Sequence, residues 1–150
     1  MLIRNLLTNA AAKEQICSDD VISMFLVWVD RYNEGHFKII REIYKNPGTT
    51  RHEIWQALNG REVREDSAEA DLFKLLIHDL SLGRVIRQHR EVDYQGNFIK
   101  SRTQRPRGNT MASAFDDEKD YELTELGQWF VHYTMNEVVS KISHMGQTNE

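Results

Sequence analysis

The chain has one cysteine, two prolines and eight glycines in 150 residues. A single thiol, Cys17, can close no internal disulfide and supply no structural zinc cluster. So few prolines and glycines leave no room for long linkers or low-complexity tails. Long apolar runs are missing as well. The longest, Val21 to Val29, holds nine residues including Ser23, and a bilayer-spanning helix needs about 20. Near the N-terminus Arg4, Asn5 and Asn9 interrupt the apolar run of about 7–15 residues that a secretory signal requires. These absences lead us to expect a soluble, cytoplasmic chain with no membrane partner. Positive charge is not in excess either: 19 Lys+Arg against 23 Asp+Glu give −4, which excludes a non-specific packer of DNA.

What is present is helical periodicity over the first 83 residues. Ser18 followed by Asp19 and Asp20 suits a helix start, with acid where the helix dipole favours it. The helix that follows is apolar on nearly every side, so it must be covered on more than one face, within the domain or by a second chain. Asn33 and Gly35 are expected to stop it. Phe37, Ile39, Ile40, Ile43 and Tyr44 form a second amphipathic helix closed by Pro47-Gly48. Thr50 and Glu53 match a capping box and open a third helix that Asn59-Gly60 ends. Ser67 or Asp66 caps a longer helix, in which Leu72, Phe73, Leu76 and Leu80 are expected to face the core, with Glu69, Ala70, Asp71, Lys74 and His78 outward. Gly83 closes it as a helix C-terminus favours.

Beyond Gly83 the pattern changes. Arg84 to Val92 reads as a strand, Asp93 to Asp120 as a long irregular stretch, and Tyr121 to Leu123 as a second short strand. Thr124 caps a last helix that uses Leu126, Phe130, Val131, Met135, Val138, Val139 and Ile142. The fold class is therefore mainly α with a small β-hairpin.

Three segments in this order resemble one superfamily. Phe37-Lys38-Ile39-Ile40-Arg41-Glu42-Ile43-Tyr44, with the turn to Thr50, is similar to the first core helix of a winged helix-turn-helix domain. Leu76-Ile77-His78-Asp79-Leu80-Ser81-Leu82-Gly83-Arg84-Val85-Ile86 is similar to the end of its recognition helix and the first wing strand. Tyr121-Glu122-Leu123-Thr124-Glu125-Leu126-Gly127 resembles the step from wing to closing helix. The bacterial regulators of the multiple-antibiotic-resistance and phenolic-acid types are the resembled members. The resemblance covers roughly residues 36–135. It implies a winged helix domain there, an N-terminal helical extension over 1–35 as a dimerisation unit, and a C-terminal helix end with a frayed tail over 136–150.

The resemblance implies a DNA-binding transcriptional regulator, which reads duplex DNA through the helix over 67–82 and a wing. Charge is divided on this point. Glu65, Asp66, Glu69 and Asp71 put the wrong sign at the start of that helix, since affinity rests on phosphate neutralisation. Residues 84–110 instead hold seven basic against two acidic residues, a net of +5, so the other 123 carry −9. The expected DNA-binding residues are Arg84, Arg87, Arg90, Lys100, Arg102, Arg105 and Arg107 of the wing, with Arg64, Lys74 and His78. The run from Lys100 to Asn109 resembles arginine-bearing arms that lie in minor grooves. The same run also reads as a solvated hairpin whose charge offsets the acidic stretch from Asp116 to Glu122.

A homodimer is expected through Leu6, Leu7, Phe25, Trp28 and Val138, spacing two wings for one duplex. The alternative reading is a protein-interaction module on the same scaffold without DNA binding, docking through the acidic helix 67–82 and the apolar N-terminal helix. A small-molecule effector would need a pocket between the N-terminal helices and the wing unit. Six histidines are scattered without zinc-ligand spacing, and no phosphate loop, nucleophile elbow or spaced carboxylate pair points to catalysis. No metal, cofactor or enzymatic activity is expected, and Cys17 reads as an inert thiol.

Overall fold

The computed structural model describes residues 2–11, 17–99, 113–115, 117 and 119–135. Among them it has six helices: α1 (Leu2–Ala10), α2 (Asp19–Arg31), α3 (Glu34–Lys45), α4 (Arg51–Leu58), α5 (Ala68–Leu82) and α6 (Glu125–Thr134). Three short strands, β1 (Thr49–Thr50), β2 (Ile86–Gln88) and β3 (Asp120–Leu123), form one antiparallel sheet in the order β1-β3-β2. The last strand in sequence is thus the middle one in space. It pairs Thr49 with Tyr121 on one side and Ile86 with Leu123 on the other. The mainly α class with a small sheet stands.

Capping side chains fix where the helices begin. Thr50 accepts from the amide of Glu53 at 3.2 Å while Glu53 accepts from that of Thr50 at 2.8 Å, the reciprocal pair that satisfies two otherwise orphaned donors. Ser67 accepts from Ala70 and Thr124 from Gly127 in the same way. Ser18 stands at its helix start without a side-chain bond. Asn33 does not stop α2 as expected. It is the N-cap of α3, bonded to the amide of His36, whose Nδ1 accepts from the Asn33 amide at 3.1 Å. Gly35 therefore lies inside α3 rather than at a break.

The strand expected over Arg84 to Val92 is shorter than the sequence pattern. The ladder with β3 stops after the His89 amide bonds the carbonyl of Asp120 at 2.8 Å. Beyond it the chain closes on itself, with Val92 opposite Phe98 and the Asp93 carboxylate accepting from the amides of Gln95 and Asn97. That local turn satisfies its own backbone donors through the Asp93 side chain. Strand β1, two residues long, was too short to leave a pattern.

Gly83 ends α5 as expected, as its C-cap, but without the left-handed conformation that favours glycine there. It is right-handed, φ −72°, and Arg84 takes the left-handed conformation at φ 60°. A Cβ at 83 would meet the Tyr32 hydroxyl, the outer end of a side chain, which would have to shift.

Helix α5 is turned further than its apolar pattern implies. Ala70 is fully buried and Leu72 is 53% exposed, the reverse of expectation. The buried set is Ala70, Phe73, Leu76, Ile77 and Leu80, spaced three and four apart on one face. Leu72 falls off that face, next in sequence to Phe73 but turned towards solvent.

Helices α1 and α2 belong to the same core as the rest. Phe25 lies 5.4 Å, ring centroid to centroid, from both Trp28 and Phe130, and Trp28 lies 5.3 Å from Phe130. Burying such side chains contributes about 1.5–3 kcal/mol each. Asn5 and Asn9, one helical turn apart, donate to the carbonyls of Thr134 and Tyr133 at 3.1 and 2.9 Å. They thereby satisfy acceptors of the last turn of α6, which have no partner within that helix. A second aromatic group, Trp55, Phe73 and Phe115, fills the space between α4 and α5.

Candidate functional site

A cavity of about 400 Å³ opens where the first turn of α4, the last turns of α5, β2 and the hairpin after it meet. Its wall is basic, formed by Arg51, Arg84, Arg87, Arg90 and His78, and among the described residues no carboxylate lines it. Tyr121 and Ile86, both buried, lie beneath, with Phe98, Gln88 and Ser81 completing the lining.

The arginines are held in different ways. Arg51 donates from Nε to the Tyr121 hydroxyl at 2.8 Å and from Nη1 to the carbonyl of Ser113 at 3.2 Å, so its orientation is set in advance. Arg87 pairs across the sheet with Glu122 at 2.7 Å, and its guanidinium lies 5.1 Å from the Phe98 ring centroid. Its charge is therefore partly offset. Arg90 lies 6.0 Å from the same ring. Among the described residues neither Arg84 nor Arg90 forms an ion pair, and both are exposed. Cations left without a counter-charge in one concavity focus a positive potential there.

Glu122 is shared, with Oε2 2.9 Å from Nδ1 of His89. Burial alone would raise the Glu122 carboxyl, but the bonds from His89 and Arg87 outweigh it and hold it below the ordinary carboxylate value. The hydrogen bond to Glu122, then its charge, raises His89 above the ordinary imidazole value.

Four residues expected from the sequence meet at this cavity: Arg84, Arg87, Arg90 and His78. Arg64 and Lys74 do not. Arg64 donates from Nε and Nη2 to the two carboxylate oxygens of Asp66 at 2.8 and 2.7 Å, and Lys74 lies 3.7 Å from Glu65. Glu65 is itself held low first by the Ser113 hydroxyl, against a smaller opposing effect of burial. The cations around the start of α5 are thus neutralised locally, and the unpaired ones gather at its other end. Lys100, Arg102, Arg105 and Arg107 lie outside the described residues.

The expected dimer residues divide similarly. Leu6, Phe25 and Trp28 are covered by the chain's own core, fully or nearly so, and present no face to a second copy. Leu7 is 53% exposed, and Val138 lies outside the described residues. Cys17 is buried, which pushes its thiol up despite a bond to Tyr133, and a raised thiol is a poor nucleophile. Among the described residues no three His, Cys, Asp or Glu side chains stand together as metal ligands would, and no helix is long and apolar enough to cross a membrane.

Sequence reading missed Arg51, Gln88, Phe98 and Tyr121 at this site. Arg51 had a detectable signal: a cation in the first turn of a helix opposes the helix dipole, so its place there needs another reason. The others had none, because only the sheet pairing and the hairpin bring them beside α5.

No protein-family model matches the chain, and neither a curated protein nor a solved structure does.

Proposed function

We propose that this protein is a cytoplasmic DNA-binding regulator of winged helix-turn-helix type, and that it meets duplex DNA through the basic cavity and the wing beside it. The observation that carries the reading is the gathering of Arg51, Arg84, Arg87, Arg90 and His78 in one concavity on a chain of net charge −4, with only Arg87 ion-paired among the described residues. The element order supports it: α3, β1, α4, α5, β2 and β3 follow one another, with β3 between the other strands. In this reading contacts centre on the last turns of α5 and on β2, rather than on the acidic start of α5. A two-fold dimer would set two such surfaces along one duplex.

The test is fluorescence anisotropy with labelled duplex DNA between about 50 and 200 mM salt, where affinity through phosphates falls steeply. Arg84→Ala and Arg90→Ala should each weaken binding and reduce the salt slope by up to about 0.9. Replacing Arg102, Arg105 and Arg107 together should lower it further. An absence of binding at about 50 mM salt would remove the reading.

One observation favours the protein-docking alternative. Helix α5 exposes Leu72 and Leu75 at 53% each and Leu82 at 67%. Exposed leucines among carboxylates suit a protein partner better than a phosphate backbone. Under this alternative, low-salt DNA binding is absent and Leu75→Ser abolishes an association visible by sedimentation.

A further inference from the structure

Inorganic phosphate would fill only a small part of the cavity between α4, α5 and β2, whose volume of about 400 Å³ lies in the range of small-molecule sites. The cavity differs in character from one part to another. Arg84 and Arg90 bring guanidinium groups with no ion pair among the described residues, and Arg51 is fixed through Nε and Nη1, with no bond from Nη2 to any described residue. Guanidinium forks match the oxygens of a phosphate monoester, and a pre-oriented arginine loses less freedom on binding. Beside them lies an apolar part, with Ile86 buried beneath and Phe98 46% exposed at the rim. An aromatic ring in that position, next to arginines, is what a planar base stacks on. Gln88 donates to the Tyr121 hydroxyl at 3.4 Å, which leaves its amide oxygen to accept from an exocyclic amino group or a ribose hydroxyl.

We propose that this cavity is a binding site for a free nucleoside monophosphate, with the phosphate on Arg51, Arg84 and Arg90 and the base against Phe98. The place also differs from the effector position expected between the N-terminal helices and the wing. An occupant would neutralise the same arginines that face DNA, so nucleotide and duplex would compete. That competition rests on the DNA-binding reading, whereas the pocket itself does not.

The experiment is calorimetric titration of the intact chain with the four ribonucleoside 5′-monophosphates, with adenosine and with inorganic phosphate. At least one nucleotide should bind more tightly than phosphate, and adenosine should not bind measurably. Arg84→Ala and Arg90→Ala should weaken both nucleotide and phosphate by about tenfold or more, the usual consequence of losing a bond to a charged group. Both side chains are exposed, so neither substitution removes core contacts. Phe98→Leu should abolish the preference for nucleotide over phosphate while leaving phosphate affinity unchanged. Failure of all four nucleotides to bind overturns the proposal, as does equal binding of nucleotide and phosphate. Nucleotide binding without duplex binding would remove the DNA reading and leave the pocket standing. Duplex binding that persists while a nucleotide saturates the cavity would refute the shared site.

Discussion

Gly127 shows how one atom can decide the closing of the sheet against α6. The carbonyl oxygen of Val85 occupies the place where a Cβ at 127 would stand, and that same oxygen accepts from the Thr124 amide at 3.0 Å. A methyl group there must displace backbone rather than a movable side chain. Gly127→Ala should therefore cost roughly 1–3 kcal/mol, the range for overpacking a filled site. Urea unfolding measures it, and a variant as stable as the parent would contradict the packing described. The sequence held the glycine but gave no means of telling this role from ordinary helix content. Asn5 and Asn9 are a second case. Read along the chain they only interrupt an apolar run, whereas in the fold their amides close the end of α6.

At the scale of elements, β2 and β3 are joined by a charge cluster as well as by a ladder. Glu122 accepts from both Arg87 and His89. Because His89 is raised in the folded state, its contribution is complete below about pH 6.5 and is lost as pH rises through the folded value. Because Glu122 is lowered, its contribution is present above about pH 4.3 and is lost as pH falls through the folded value. The strand pair should be held most firmly between those limits. Nuclear magnetic resonance titration of the His89 ring should give a value above 6.5 that returns towards it in Glu122→Gln. An unshifted ring would dismiss the interaction.

Helix α4 illustrates the opposite situation, in which local chemistry is sufficient. Its capping box over Thr50 and Glu53 was legible in four consecutive residues and is present with both bonds. Thr50 also donates to Asp117 at 2.7 Å, which no local pattern could indicate. Thr50→Ala should cost about 1 kcal/mol from the cap alone, and more through Asp117. A thermal melt unchanged by the substitution would show that the cap contributes nothing.

Across the whole molecule, α1 and α2 are part of the folding unit. Phe25 is fully buried among Trp28, Phe130 and Tyr133, so Phe25→Ala should remove about 3–5 kcal/mol. Unfolding should stay a single transition for fluorescence and circular dichroism alike. If the variant instead loses only a dimer, as sedimentation would reveal, α1 and α2 act as an interface and not as core. Charge is likewise a property of the whole: the acidic total and the basic cavity coexist because the cations at the start of α5 are paired, whereas at its end Arg84 and Arg90 form no ion pair among the described residues.

By itself the sequence determined the helices, most of their starts and the chemistry of a chain without disulfides or a long apolar span. Those features depend on interactions within a few residues, or on composition, and need no fold to be read. It also located the basic segment, because charge is counted along the chain. Only the tertiary structure decided which arginines stand together, that Arg51 joins them, that Ala70 rather than Leu72 faces inward, and that Phe25 and Trp28 are core. Each of those depends on which distant residue fills the facing space, a quantity set by packing among α1, α2, α5, α6 and the sheet and carried by no local pattern.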